Sequence, residues 1–355
     1  MIPDAVIIEE FGRLTREILR HDGPRGFLVG LVGELIDILE TAAELQIDPH
    51  ADIAEGETTS RHGLAISPAQ AAMCAGEEQR TAVFLRGLHD AIVDAVASNH
   101  LPKPVRVLYA GSGPYAVLAT PLMAIFPPEE VQFTILDIHA ESIEAARSVV
   151  RRLNFESSVE SFVVADACEY RIPEKAVPDI ILSETMSTAL EKEPQVAILR
   201  HLLKQAPNAT LVPESVRIDA FLVDTSREIE RVVPESEAGS VTSQPDRIPA
   251  GPVFDLNKST IRSWESISDD RLPAAAITLP VAPDPYYQPF LFTSITTHGD
   301  HVLRTHESGL TAIRAFPVTG STPAECRTLQ FHYRLGPNPR LIAEAAGQAD
   351  CPAGL

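Results

Sequence analysis

The sequence predicts an α/β protein with a doubly wound parallel sheet, preceded by helices and followed by a β-rich region. Apolar residues recur at helical spacing through most of the first 98 residues. From Val105 to about Pro213, short apolar strands alternate with helical segments, as in a parallel sheet with helical crossovers. After Pro213, strand-like runs separated by Pro, Gly, Asp and Ser predict a sandwich-like or barrel-like β module.

These changes of pattern divide the chain into four predicted parts. Residues 1–62 form an N-terminal helical domain, and residues 63–212 form the sheet domain with its leading helices. Residues 213–345 form a β-rich domain for substrate binding or dimerisation, and residues 346–355 form a tail. The polar, glycine-containing stretch from Asp48 to Gly63 is the candidate linker after the first domain.

Two long helices are predicted before this linker. The first carries apolar residues at helical spacing between Ile7 and Ile18, and the second covers residues 26–45 with a wide apolar face. So broad a face is buried against other helices or against a second copy of the chain, which makes a homodimer one expectation. Ser67 and Pro68 then mark the start of a further helical pair that ends near residue 98.

The sheet region contains a regular series of strands and helices. The predicted strands are VRVLYA at 105–110, VQFTILDI at 131–138, SFVVADA at 161–167, PDIILSE at 178–184 and ATLVPES at 209–215. The helices predicted between them cover residues 116–126, 141–153 and 194–206. In the C-terminal part, residues 233–256 are predicted as a long loop because Pro, Ser and Gly are frequent there. A helical period returns only in LIAEAAGQA, residues 341–349.

Composition limits the possible functions and partners. The 355 residues are 45% hydrophobic and carry a formal net charge of −20. Such an excess repels phosphate backbones, so nucleic acid is not an expected partner, and it attracts cationic ligands; a role in solubility alone explains it equally well. The scattered cysteines, the acidic N-terminus and the lack of a long apolar run predict a cytoplasmic protein without a membrane partner.

A glycine turn follows the first predicted sheet strand directly. Gly111 and Gly113 allow a ligand to approach the backbone closely, and Asp137 ends the next strand, where a carboxylate can bind ribose hydroxyls. Asp166, at the end of the third strand, is expected at the same edge, near an adenine. With Ala116, the pattern also fits a dinucleotide fingerprint, so the turn alone does not separate NAD from other adenosyl ligands.

A second polar cluster follows the strand at 178–184. Glu184 comes at the strand end, and Glu191 and Glu193 follow within ten residues. Burying unpaired carboxylates is costly, so a cation between them would account for their position at the ligand-binding edge. A solvated acidic loop is the alternative.

Together these residues resemble a class I, Rossmann-like S-adenosylmethionine-dependent methyltransferase, and the acidic loop resembles that of the protein arginine methyltransferase family. In that family a strand ends in Ser-Glu, a Met follows two residues later and a second Glu nine residues later. Ser183, Glu184, Met186 and Glu193 meet this pattern. The resemblance covers about residues 68–224 and implies S-adenosyl-L-methionine as cofactor and S-adenosyl-L-homocysteine as product.

The resemblance implies roles for particular residues. Glu184 and Glu193 would clamp a guanidinium group as catalytic residues, with Met186 and Glu307 also at the substrate. Arg80 would pair with the methionyl carboxylate of the cofactor. The implied cofactor-binding set is Arg80, Gly111, Gly113, Asp137, Asp166 and Ala167.

The C-terminal half departs from the family's pattern. Thr305-His306-Glu307 is the nearest match to a Thr-His-Trp loop, which would make His306 the family's catalytic histidine. The family's tyrosine-rich helix is missing, and the N-terminal helices have no counterpart. These departures look more like a relative that methylates a small cation, such as the bacterial enzymes that methylate free L-arginine in natural-product biosynthesis.

Three alternatives remain open from the sequence. The chain could be a protein arginine N-methyltransferase, an NAD-dependent oxidoreductase that uses the same glycine turn, or a non-catalytic sensor of an adenosyl ligand. The methyl transfer that the resemblance implies needs no metal, and no metal-binding residues are predicted.

Overall fold

A computed structural model describes residues 4–45, 52–98, 103–229, 246–316, 318–319 and 328–345. It confirms the predicted fold class: a parallel α/β sheet lies between N-terminal helices and a β-rich C-terminal region. Within the described ranges, no helix combines the length and apolar character needed to cross a membrane.

The N-terminal helices are α1 (Asp4–Arg20) and α2 (Arg25–Ala43). Their apolar faces pack against each other and against helices of the sheet domain, so much of the broad stripe is buried within the chain. Phe11 and Leu35 are fully buried, whereas Phe27 and Val29 are 61% and 50% exposed on the outer side of α2. The N-terminal helices therefore form one hydrophobic core with the sheet domain.

The predicted linker contains regular structure. Residues 46–51 lie outside the described ranges, but β1 (Thr58–Ser60) and β2 (Gly63–Ala65) form an antiparallel hairpin, so part of the linker prediction is wrong. The strands have only three residues each, which is too short to show a period of two. The predicted boundary between residues 62 and 63 falls in the turn of this hairpin.

Two helices follow the hairpin. Helix α3 (Pro68–Ala75) begins where predicted, because the Ser67 hydroxyl accepts a hydrogen bond from the Gln70 amide at 3.1 Å. Helix α4 (Glu78–Ala97) is long and lies between the parallel sheet and the β-rich region.

The five predicted strands of the sheet are all present and parallel. They are β3 (Val105–Ala110), β4 (Val131–Asp137), β5 (Val159–Val164), β6 (Ile180–Ser183) and β7 (Thr210–Val212). Their spatial order is β5-β4-β3-β6-β7, so the chain reverses direction across the sheet at β3. A reversal of this kind puts crossover helices on both faces and opens a crevice at the carboxyl ends of the strands.

Helices α6 (Ala140–Arg152) and α7 (Gln195–Gln205) lie close to their predicted positions. The helix predicted at 116–126 is shorter: only α5 (Thr120–Met123) is helical, and turns flank it. Ala116 has a positive φ of 43°, which a continuous helix cannot contain, and Pro121 occupies the first turn of α5.

The described residues of the C-terminal region form two sheets, two short α-helices and a 3₁₀ helix at Gly309–Thr311. The strands of this region are β8 (Ser215–Asp224), β9 (Arg247–Asn257), β10 (Arg271–Thr278), β11 (Tyr287–His298), β12 (His301–Leu303), β13 (Arg314–Ala315), β14 (Val318–Thr319), β15 (Thr328–Arg334) and β16 (Arg340–Ala345). One sheet has the order β12-β11-β8-β9, with β13 paired to β11, and the other has the order β10-β15-β16-β14. The α-helices are α8 (Thr225–Ile229) and α9 (Lys258–Ser263).

Two predictions for the C-terminal part are wrong. Residues 247–256, predicted as loop, form most of β9 and pair with β8; residues 230–245 lie outside the described ranges. Residues 340–345 form a strand rather than the start of a helix, because they pair with β15 along their whole length. In both segments, pairing with a neighbouring strand overrides the local preference of the sequence, which is for a loop in the Pro- and Gly-rich segment and for a helix in the Ala-rich one.

Helix α4 joins the parallel sheet to the β-rich region. The Thr297 hydroxyl donates a hydrogen bond to the Val83 carbonyl at 3.0 Å, and a Cβ atom at Gly87 would lie 2.2 Å from that hydroxyl oxygen. Nearby, His301 contacts Asp90 at 2.7 Å and His298 contacts Asp94 at 3.0 Å. This junction places the start of α4 beside the ligand-binding edge of the sheet.

Candidate active site

A cavity lies at the carboxyl ends of the central sheet strands; the space within its outline, part of which is open solvent, is about 990 Å³. The sheet forms one wall, while the β1–β2 hairpin, α3 and the start of α4 form the other. Phe84, Tyr109 and Leu118 give part of the lining an apolar character, and the polar groups come from the strand ends. The cavity thus occupies the crevice where ligands bind in open α/β sheets.

The glycine turn lies on one side of this cavity. Gly111 and Gly113 have positive φ values of 78° and 62°, which glycine adopts without strain. A Cβ atom on Gly111 would lie 2.1 Å from the Thr185 side chain, so no other residue fits there. Turns and the short α5 follow, rather than the long helix that the sequence predicts.

Asp137 braces the glycine turn. Its carboxylate accepts hydrogen bonds from the amides of Gly113 and His139, both at 2.9 Å, and the His139 ring lies 3.5 Å away. Asp137 lines the cavity, so the side chain predicted to bind a ribose also holds the turn in shape.

Asp166 and Ala167 line the same cavity beyond the end of β5. The Asp166 carboxylate accepts a hydrogen bond from the Cys168 amide at 2.8 Å, which shapes the turn after the strand. Burial raises the pKa of the Cys168 thiol above its usual range, and Cys74 and Cys168 are both free cysteines. Cys326 and Cys351 lie outside the described residues.

Glu184 lies one residue beyond β6 and forms an ion pair with Arg80. The Arg80 Nε atom donates to Glu184 Oε2 at 2.8 Å, and Nη2 contacts the same oxygen. The two side chains are only 8% and 13% exposed. Glu184 Oε1 is buried and has no hydrogen-bond partner among the described residues, which leaves one acceptor for a ligand.

Burial acts on both members of this pair. Burial raises the pKa of Glu184, although the positive charge of Arg80 opposes the shift. Burial alone would lower the pKa of Arg80, but the charge of Glu184, its hydrogen bond to Arg80 and the neighbouring Cys74 and Glu77 together raise that pKa. Arg80 is therefore a permanent cation that favours the ionised form of Glu184.

Glu193 lines the same cavity but lacks such a partner. Burial, followed by the charge of Glu184, raises the pKa of Glu193 to about 8. Among the described residues, no cationic side chain lies within 4.0 Å of its carboxylate. A cation that entered between the two glutamates would stabilise the ionised form of Glu193.

The glutamate loop, residues 184–193, has an unusual backbone. Ala189, Leu190 and Lys192 have positive φ values of 57°, 57° and 65°. Side-chain-bearing residues rarely adopt this conformation, and such strain concentrates at functional sites where the surroundings hold it in place. Here the Tyr333 hydroxyl donates to the Leu190 carbonyl at 2.8 Å, and the Lys192 amide donates to the Pro339 carbonyl at 2.8 Å.

Gln195 ties the two ends of the glutamate loop together from inside. Its side chain is fully buried, its oxygen accepts from the Thr185 amide at 2.9 Å, and its amide donates to the Ser183 carbonyl at 2.9 Å. Sequence analysis missed this residue, because a glutamine at a helix start has no distinctive signal. His139, Thr185 and the hairpin residues that line the cavity were also missed, because they too have no distinctive local signal.

Three predicted site residues lie elsewhere. Met186 is 2% exposed and belongs to the core beneath the loop. His306 lies 2.9 Å from Glu228, which also pairs with Arg247, and Glu307 accepts a hydrogen bond from the Arg304 amide at 2.6 Å. These three residues are not among those that line the cavity, whereas Arg80, Glu184, Glu193 and the predicted cofactor-binding residues are.

In the part of the chain that the structure describes, no group of three or more His, Cys, Asp or Glu side chains is arranged to hold a metal ion. The charged groups that line the cavity are instead the carboxylates of Asp137, Asp166, Glu184 and Glu193 and the Arg80 guanidinium, beside a glycine turn. This arrangement suits an organic ligand that carries both polar and cationic groups.

Comparisons with known proteins give structural likenesses at low identity. No protein-family model matches the chain, and no curated protein sequence matches it. The Trypanosoma brucei PRMT1 enzyme-prozyme heterotetrameric complex with AdoHcy is 15% identical, with a TM-score of 0.47, over 77% of this chain and 92% of that chain.

Two further solved structures are similar at a comparable level. Arabidopsis thaliana protein arginine methyltransferase 10 is 15% identical, with a TM-score of 0.44, over 70% of this chain and 84% of that one. The PRMT6-SAH structure is 10% identical, with a TM-score of 0.40, over 70% of this chain and 92% of that one. The function proposed below therefore rests on the geometry of the site.

Proposed function

We propose that the protein is an S-adenosyl-L-methionine-dependent methyltransferase that acts on a guanidino nitrogen. One observation carries this proposal: two buried glutamates, Glu184 and Glu193, line one cavity with the glycine turn and Asp137. A dinucleotide oxidoreductase or a passive adenosyl sensor gives these glutamates no role. The pair suits a planar cation, because carboxylates bind a guanidinium fork bidentately.

The cavity residues fit the proposed cofactor. The missing Cβ atom of Gly111 makes room for the Thr185 side chain. Gly111 and Gly113 line the cavity, as do Asp137 and Asp166 from successive strand ends. Arg80 uses Nε and Nη2 for Glu184, so its remaining donors could bind a ligand carboxylate. When bound, the cofactor supplies an electrophilic methyl group on a sulfonium.

The protein's own residues would prepare the substrate for in-line attack. A guanidinium is a poor nucleophile because its lone pairs are delocalised. Glu184 and Glu193 would fix its orientation and draw positive charge towards the nitrogens that they hold, leaving another nitrogen free to attack. The buried site strengthens these electrostatic interactions, and the braced loop supplies the positioning.

We further propose that the substrate is free L-arginine or a related small molecule of natural-product biosynthesis, and that the enzyme is a cytoplasmic homodimer. The net charge of −20 favours a cationic substrate over nucleic acid. In such a dimer, a second copy could cover Phe27 and Val29, which are exposed on the outer side of α2. A protein arginine N-methyltransferase is the alternative.

The clamp is tested by replacing each glutamate separately. Glu184→Gln and Glu193→Gln should each lower methyl transfer to background while S-adenosyl-L-homocysteine still binds, because each amide loses the charge that holds the guanidinium. Mass spectrometry of the product from free L-arginine and calorimetry with S-adenosyl-L-homocysteine measure the two effects. Full activity in either variant would contradict the proposal.

Glu191→Gln is the matched control for these variants. Glu191 belongs to the same loop but pairs with Arg314 at 2.8 Å and is not among the residues that line the cavity. This variant should therefore retain methyl transfer close to the wild-type rate.

A change in nicotinamide absorbance when NAD is added, with no methyl transfer, would instead favour the oxidoreductase.

A further inference from the structure

The β1–β2 hairpin lies across the cavity from the sheet. Ser60, Gly63, Leu64 and Ala65 all line the cavity, although the hairpin comes from the segment that sequence patterns predict as a linker. It covers the space between the glutamate loop and the strand ends that carry Asp137 and Asp166.

Three contacts hold the hairpin on both sides of the cavity. On the glycine-turn side, a hydrogen bond of 3.1 Å joins Thr58 to His139. Beyond β5, Arg61 pairs with Glu169 at 2.8 Å. On the glutamate side, the Leu64 amide donates to the Lys192 carbonyl at 2.8 Å.

Gly63 makes the closest approach between the hairpin and the glutamate loop. The residue is buried and has a φ of 148°. A Cβ atom there would lie 2.8 Å from the Lys192 carbonyl oxygen and 3.0 Å from the Pro194 nitrogen, on either side of Glu193. The hairpin backbone therefore lies directly against the backbone that carries Glu193.

The middle of the glutamate loop is in contact with the β-rich region. The Thr188 hydroxyl donates to the Gly309 carbonyl at 2.6 Å, and the Gly309 amide donates to Glu77 at 2.5 Å. Glu77 in turn lies 3.8 Å from Arg80. The middle of the loop and its Glu193 end are thus each in contact with another segment of the chain.

We propose that the hairpin, residues 58–65, is the element that restricts the substrate to a free guanidino compound of amino-acid size. This inference rests on the proposed guanidino methyltransferase activity. A peptidyl arginine needs room for main chain in two directions close to the glutamates, whereas a free amino acid ends at its own carboxylate and amine. The hairpin and the Gly309 segment both lie against the glutamate loop, and on this proposal they leave no space beside it for a peptide main chain.

The test compares two glycine substitutions in the same segment. Gly63→Ala introduces a Cβ atom against backbone at 2.8 Å and should push the hairpin away from the glutamate loop. Gly56→Ala is the matched control: its φ is also positive, at 93°, but the nearest atom would be 3.7 Å away and Gly56 does not line the cavity. The two variants share backbone strain and differ in the contact with the loop.

The measurement is kcat/KM for free L-arginine and for a Gly-Arg-Gly-containing peptide. In the wild type and Gly56→Ala, we expect kcat/KM for free arginine to exceed that for the peptide by about 100-fold or more. In Gly63→Ala, we expect this ratio to fall about tenfold. Thr58→Val, which removes the contact with His139, should shift the ratio in the same direction by a smaller factor and serves if Gly63→Ala does not fold.

The outcomes separate the inference from the activity on which it rests. A wild type that uses the peptide as well as free arginine would overturn the inference and leave the methyltransferase proposal intact. An unchanged ratio in both Gly63→Ala and Thr58→Val would do the same. If the wild type neither methylates nor binds either compound in the presence of S-adenosyl-L-homocysteine, the proposed function is wrong and the inference falls with it.

Discussion

At the residue scale, the two glutamates of the cavity differ in how their charge is supported. Glu184 has a buried arginine beside it, whereas burial and the charge of Glu184 raise the pKa of Glu193 to about 8. Glu184 therefore already has a countercharge, whereas the ionised form of Glu193 would be stabilised by a bound cation. Groups whose pKa values are shifted by burial and by a charged neighbour are frequent at functional sites.

This difference has a consequence for stability. An unfolded glutamate has a pKa of about 4.3, so between that value and about 8 the folded protein binds more protons at Glu193 than the unfolded chain does. The contribution of this group to the free energy of unfolding is therefore largest at low pH and falls as pH rises to about 8. Glu193→Gln should remove that fall.

Thermal unfolding of the ligand-free protein at pH 5, 6.5 and 8 tests this prediction. We expect the melting temperature of Glu193→Gln to exceed that of the wild type most at pH 8 and least at pH 5. Glu191→Gln, in a half-buried ion pair of the same loop, should follow the wild-type pH dependence. A difference between Glu193→Gln and wild type that does not change with pH would contradict the assignment.

At the scale of elements, the glutamate loop keeps its strained backbone because several neighbours hold it. Tyr333 and Pro339 of the β-rich region bond to it from outside, and Gln195 of α7 joins its ends from inside. The loop therefore connects the sheet strand that positions Glu184 to the helix that follows Glu193. Its geometry depends on parts of the chain that are far apart in sequence.

Gln195→Leu should impair both stability and transfer. The substitution leaves the Thr185 amide and the Ser183 carbonyl without their buried partner, which costs about 1–3 kcal/mol. A shift of the loop on the ångström scale lowers the rate by up to about 100-fold. Urea unfolding and the arginine methylation assay measure these effects.

Gln205→Leu, in the same helix, is the control. Its side chain bonds to the Ile172 amide and the Tyr170 carbonyl, both at 3.0 Å, and is not among the residues that line the cavity. It should lose stability but retain transfer. Equal loss of transfer in both variants would show that Gln195 has no specific role in positioning the loop.

At the scale of the whole molecule, α4 connects three parts of the fold. It packs against the N-terminal helices and the parallel sheet, its first turn carries Arg80, and its middle meets β11 through Gly87 and Thr297. Any side chain at Gly87 would collide with Thr297. This close contact, together with the His301–Asp90 and His298–Asp94 pairs, therefore helps to set the position of the β-rich region relative to the cavity.

Two glycine-to-alanine substitutions in helices should have opposite effects. Gly87→Ala places a Cβ atom 2.2 Å from the Thr297 hydroxyl and should destabilise the protein by about 1–3 kcal/mol. Gly33→Ala on α2 meets no atom within 4 Å and should stabilise it by about 0.4–1 kcal/mol, because alanine restricts the unfolded chain. Denaturant unfolding measures both, and a stabilising Gly87→Ala would refute the close contact.

Sequence patterns alone determined the order of the five sheet strands along the chain, the glycine turn and the acidic loop. These features depend on local signals: apolar runs, glycine at positive φ and carboxylates after a strand. The acidic loop pointed to Glu184 and Glu193, the family resemblance added Arg80, and the structure brings all three to one cavity.

The tertiary structure alone decided which other segments meet at that cavity. The polar hairpin, Gln195, β9 and β16 have weak or misleading local signals, because their conformations are stabilised by partners distant in sequence. The same reason explains why Arg80 pairs with Glu184 and why His306 faces Glu228 instead of the cavity. Local pattern specifies an element, but only the packing of the whole chain specifies what each side chain contacts.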